Sequence, residues 1–138
     1  MSQIIKTISR MLIPFIFVYA IWLILTGHTS PGGAFAGGVT ASLAVALAYV
    51  SFGISSTKER FSYSIAHMGR ILGLMGFIMM GVIAMLLGKG FLGNFLPKFG
   101  GHFTMAGVII VLNLCIGILV GCEFSLLLYY LFGGGGKE

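Results

Sequence analysis

A chain of 138 residues that is 58% hydrophobic and 8% charged, with a mean hydropathy of +1.08, has too little charge for a water-facing surface, since soluble domains carry about 25% charged residues. The formal net charge of +5 comes from a few basic residues at the ends of apolar runs, where lysine and arginine orient membrane helices. No basic patch with interleaved aromatics suggests nucleic acid. The expectation is one all-α integral membrane domain over residues 1–138, a bundle of four transmembrane helices with no room for a soluble catalytic module.

The first apolar run, residues 11–26, would make only about 24 Å of helix against a hydrocarbon core of about 30 Å. The helix is therefore predicted to begin near residue 3, taking in Ile4, Ile5 and Ile8. Pro14 then falls in its first turns or makes a mild kink, which membrane helices tolerate. Lys6 and Arg10 ahead of an apolar run also suit a signal peptide, but no small-residue cleavage site follows Leu25, so the segment is read as a retained helix.

A nearly charge-free turn follows: Gly27-His28-Thr29-Ser30-Pro31-Gly32-Gly33-Ala34-Phe35-Ala36-Gly37-Gly38. It lacks the lysine and spacing of a phosphate loop, and no strand precedes it. Pro31 stiffens the backbone, and Gly32, Gly33, Gly37 and Gly38 let the second helix start against a neighbour. That helix is expected over about 35–54, with Ala34, Gly38, Ser42 and Ala46 at four-residue spacing.

The third apolar run, 71–87, extends as a helix back to about 65 and carries Gly69, Gly73, Gly76 and Gly81. The fourth helix, about 104–132, places Asn113, Gly117, Gly121 and Ser125 on one face, and Gly133 to Gly136 end it in a tail covering 133–138. Small residues matter because lipid gives helices no hydrophobic reason to associate and close approach must supply the contact energy. Gly69, Gly73, Gly117 and Gly121 are accordingly the expected packing positions. Large residues such as Phe15, Phe17, Trp22, Phe77 and Phe124 are left for outer faces.

Lys6, Arg10, Lys58, Arg60, Arg70 and Lys137 fall on one side, with Arg70 counted in the 55–70 connection, and only Lys89 and Lys98 on the other. The positive-inside rule then puts both termini in the cytoplasm of a multi-pass cell-membrane protein.

Few residues carry chemistry. Glu123 is the one acid within an apolar run, and an acid at that depth is costly enough to be functional or paired. It reads as a proton- or cation-handling carboxylate, as a buried acid bonded to a partner subunit, or as a neutral acid in a polar pocket. Asn113 lies ten residues earlier on the same helix, about 15 Å away, and suits an interhelical hydrogen bond or an ion ligand. His28 sits near the outer surface, where an imidazole can pass protons. Glu123, His28 and Asn113 are the candidate ion path.

A haem clamp would need two ligands at similar depth on facing helices, and His28 and His102 both fall in loops. Cys115 and Cys122 lie two helical turns apart, about 10 Å, too far for a disulfide. They read as small buried hydrophobes. No metal site, no catalytic residue and no cofactor of the chain's own is expected.

The string Gly27-His28-x-x-Pro31-Gly32-Gly33-x-Phe35-x-Gly37-Gly38 after a first membrane helix resembles the MnhB domain, found in the B-type component of Mnh/Mrp-type multisubunit sodium/proton antiporters. Related subunits occur in the membrane arms of energy-converting hydrogenases. The resemblance continues through Phe91-Leu92-Gly93-Asn94-Phe95-Leu96-Pro97, Gly100-Gly101, Ala106-Gly107-Val108-Ile109 and Asn113-Leu114 with Gly117. Ala34 stands where the family commonly has a third glycine. Many relatives carry an acid in the last helix, which makes Glu123 of interest without aligning it.

The resemblance implies a non-enzymatic accessory subunit of a sodium/proton-translocating module, of antiporter type or in the ion-pumping arm of a membrane-bound hydrogenase-like complex. Its partners would be the other membrane subunits, with Na+ and H+ as transported ions and lipid around them. The competing expectations are a self-sufficient homo-oligomeric cation channel or transporter, and a haem-binding electron-transfer subunit.

Overall fold

A computed structural model describes residues 3–29, 32–60, 62–93 and 107–133. Pro31, His102 and the second half of the 88–103 connection lie outside the described residues, as does the tail from 134. The described chain is helical: α1 (Gln3–Leu25), α2 (Gly33–Phe52), the short α3 (Ile54–Arg60), α4 (Tyr63–Leu86) and α5 (Val108–Gly133). α1, α2, α4 and α5 are long and apolar enough to cross a membrane. The 20 residues of α2 span about 30 Å and the 26 of α5 about 39 Å. The protein is a multi-pass membrane protein.

The helices pack in the order α1, α2, α5, α4, with the main contacts between neighbours in that row. α5 is the last helix in sequence but central in space, between α2 and α4. Backbones come close where the side chain is absent. A methyl on Gly38 would lie 2.8 Å from the carbonyl oxygen of Gly117, and one on Gly73 would lie 2.9 Å from that of Cys115. Those two glycines set the α2–α5 and α4–α5 separations. Gly121 faces Gly38, and Gly69 lies against the Cys122 sulfur. Cys115 and Cys122 are free thiols used as small packing groups against Gly76 and Gly69 of α4.

Ile24 joins three helices. Its side chain is buried against Gly37 of α2 and also against Gly117 of α5. At the opposite end of the α1–α2 hairpin the hydroxyls of Ser9 and Ser51 are 2.6 Å apart and buried. The Arg10 guanidinium stands 5.8 Å above the Phe52 ring. The Thr57 hydroxyl of α3 donates to the Ala48 carbonyl at 3.1 Å, tying α3 back to the end of α2.

Two helix starts bear on the sites below. The 55–70 connection is mostly helical: α3 occupies its start, and α4 begins at Tyr63, so Arg70 is inside a spanning helix. The reason is local: Ser62 in extended conformation precedes a run with helical spacing, and no proline or glycine interrupts it before Gly69. The described part of α5 starts at Val108, after Gly107 in left-handed conformation, and the expected start near 104 lies outside the described residues.

Candidate functional site

The candidate residues fall into two separate sites, one with buried polar atoms and one half-exposed. The first lies at the end of the row that carries the α1–α2 turn. α1 closes through Thr26, whose hydroxyl donates to the Trp22 carbonyl at 2.7 Å, and through Thr29, whose N–H donates to Thr26 at 2.9 Å. The chain enters α2 through Gly32 and Gly33, with φ of 95° and 61°. These are left-handed conformations that cost a side-chain-bearing residue about 1–2 kcal/mol.

Gly32 caps α2 without a side-chain hydrogen bond, and the first N–H groups of any helix lack intrahelical acceptors. Asn113 of α5 reaches this point. Its Nδ2 would lie 3.0 Å from a methyl on Gly27, and the Ala34 nitrogen 2.8 Å from that same methyl. Asn113 Nδ2 and His28 Nδ1 are buried and have no hydrogen-bond partner among the described residues. Such atoms are uncommon and costly in a folded protein. The Phe35 ring meets the Phe124 ring edge-on at 6.1 Å.

The second site lies toward the end that carries the chain termini. Arg70 of α4 and Glu123 of α5 face each other, with Nε 3.6 Å from Oε1. This is an ion pair without a short hydrogen bond. The two side chains remain 36% and 48% exposed, so the pair sits on a flank of the α4–α5 unit and not in its seam. Tyr130 lines the same depression, and its hydroxyl is 3.4 Å from that of Tyr63. Tyr63 also packs on His67 and Tyr129, which closes this end of α4 and α5 with aromatic rings.

The three candidate ion-path residues therefore divide. His28 and Asn113 share the first site, and Glu123 belongs to the second. Arg70, counted with the 55–70 connection in the charge tally although the sequence predicts the helix from about 65, is the side chain set opposite Glu123. Its signal was the long apolar run on its C-terminal side together with the helix start that Ser62 permits. Among the described residues no group of three His, Cys, Asp or Glu side chains is placed to hold a metal ion.

The family described as "Domain related to MnhB subunit of Na+/H+ antiporter" matches residues 4–126. An uncharacterized protein of Methanocaldococcus jannaschii is 30% identical over 128 residues, covering 86% of this chain and 48% of that protein. A protein of Alkalihalophilus pseudofirmus, named as the B-type component of a Na(+)/H(+) antiporter, is 29% identical over 89 residues, 64% of this chain and 61% of that one. A Staphylococcus aureus protein named as antiporter subunit mnhB2 is 25% identical over 95 residues, 67% of this chain and 64% of that one. The chain thus spans from about half to just under two thirds of the length of these curated relatives.

Proposed function

The chain belongs to the MnhB domain family, and on that footing we propose that it is an accessory membrane subunit of a multisubunit sodium/proton-translocating module. The observation that carries the reading is the extent of the match. It runs from residue 4 to residue 126 and takes in the glycine turn, Asn113, Arg70 and Glu123. Two of the similar proteins are named as antiporter subunits. The subunit has no catalytic step and no cofactor of its own. It supplies shape, through the close packing on α5, and polar groups at two depths.

In this reading the parent assembly is a Mrp-type antiporter or the ion-pumping arm of a hydrogenase-like complex, and the partners are its other membrane subunits. Na+ and H+ are the transported ions, lipid surrounds the outer faces, and both termini face the cytoplasm. Asn113 with His28 and Glu123 with Arg70 are polar stations on either half of the membrane. They are ten residues apart along α5, about 15 Å, so groups from partner subunits must bridge them. No single ion contacts both.

The test is mild extraction from native membranes, capture of a tagged chain, and mass spectrometry of the proteins that accompany it. Antiporter-type membrane subunits alone are expected for an exchanger. The same subunits with iron–sulfur or hydrogenase subunits place the chain in a redox-driven pump. Recovery of the chain alone as a stable oligomer overturns the proposal in favour of a self-sufficient channel.

A further inference from the structure

Arg70 lies seven residues into α4, about 10 Å along its axis, and Glu123 ten residues before the end of α5, about 15 Å. The two helices are longer than the hydrocarbon core, so the pair sits roughly 7–10 Å inside its boundary. Arginine can extend its head group toward the membrane surface, but the shorter glutamate cannot. The pair is nevertheless 36% and 48% exposed on the outer flank of α4 and α5.

Hydrocarbon offers this flank nothing. A carboxylate facing lipid tails loses its hydration without compensation. Among the described residues the contact is a 3.6 Å approach of Nε to Oε1, which leaves the two terminal nitrogens of the guanidinium and one carboxylate oxygen without a hydrogen bond there. They open into a depression of about 570 Å³ whose rim is Phe124, Leu127, Tyr130 and Leu131. A depression of this size on the flank of two helices suits a helix lying alongside that inserts polar side chains from one face. An anionic lipid head group does not fit, because it stays at the surface and the carboxylate repels it.

We propose that the flank of α4 and α5 around Arg70 and Glu123 is the docking surface for a transmembrane helix of another subunit, which inserts a hydrogen-bonding side chain between the two charges. This rests on the accessory-subunit reading and adds to it the face through which that subunit is held. The apolar rim packs on the incoming helix, and the charged floor selects a helix that carries an amide or hydroxyl at the matching depth. Membrane helices use such interhelical hydrogen bonds where a side chain would otherwise face hydrocarbon.

The experiment is site-specific photo-crosslinking in native membranes. A benzophenone side chain is placed at Leu127, which is 49% exposed on this flank, and in a second variant at Leu131, in case one position disturbs folding. Both are expected to form an adduct with a transmembrane segment of a different subunit, identified by mass spectrometry. Replacing both charges, Arg70→Leu with Glu123→Leu, is expected to lower the Leu127 adduct several-fold, and an unchanged yield would overturn the role given to the pair. Adducts with lipid only, adducts with a second copy of this chain only, or none at all, overturn the docking surface. If the unmodified tagged chain still brings down partner subunits in those membranes, the accessory-subunit reading stands. If it does not, both readings fail.

Discussion

Gly38 of α2 meets Gly117 of α5 so closely that a methyl on Gly38 would fall 2.8 Å from the Gly117 carbonyl oxygen. The opposing atom is backbone, which cannot rotate away. Gly38→Leu is therefore expected to separate α2 from α5 and lower stability by about 1–3 kcal/mol. Gly90→Ala, at a position with nothing within 4 Å of the added carbon, is expected to be neutral. Thermal unfolding of the two variants in the same detergent distinguishes them, and equal melting temperatures would show that the close approach does not control packing.

The entry to α2 gives a second prediction. Gly32 has φ of 95°, a conformation that disfavours any side chain. Gly32→Ala is expected to cost about 1–2 kcal/mol, read as a lowered unfolding midpoint. No change would mean that the turn adopts another conformation in the membrane.

Arg70 and Glu123 should behave as a unit. Arg70→Gln leaves the carboxylate without a counter-charge, and Glu123→Gln leaves the guanidinium without one. The double variant should be less damaging than the sum, with a coupling of about 0.5–3 kcal/mol in a double-mutant cycle on stability. Strict additivity would show that the two charges do not interact.

For transport, Glu123→Gln is expected to reduce sodium- or proton-linked flux while the complex still assembles. The amide keeps a hydrogen-bonding group of the same size opposite Arg70 but cannot exchange a proton. Flux in reconstituted vesicles, set beside the yield of intact complex, checks it. Undiminished flux would make Glu123 a structural residue.

Asn113 offers the complementary case. Its Nδ2 is buried without a partner among the described residues, so removing the amide deletes no hydrogen bond seen there. Asn113→Leu, of similar size, is expected to leave thermal stability unchanged or slightly higher while lowering transport. A large loss of stability would show that the amide bonds a group within the folded chain.

Much of this arrangement could be read along the chain. Four helices follow from the lengths of apolar runs, because a backbone in hydrocarbon must satisfy its own hydrogen bonds. Small residues at three- and four-residue spacing on α2, α4 and α5 mark their packing faces, since helix geometry places such positions on one side. The glycine turn and the acid within an apolar run are visible for the same reason: their meaning is local.

What the sequence by itself determined, then, is which segments cross the membrane, which faces of them are small, and which residues are too polar for lipid. The tertiary structure decided which faces meet. α5, last in the chain, lies between α2 and α4. Ile24 fills both Gly37 and Gly117, Arg70 stands opposite Glu123, and Asn113 reaches the α1–α2 turn instead of the acid on its own helix. These pairings depend on through-space fit among helices that are similarly apolar and similarly lined with small residues. The period within a helix defines a face but not its partner.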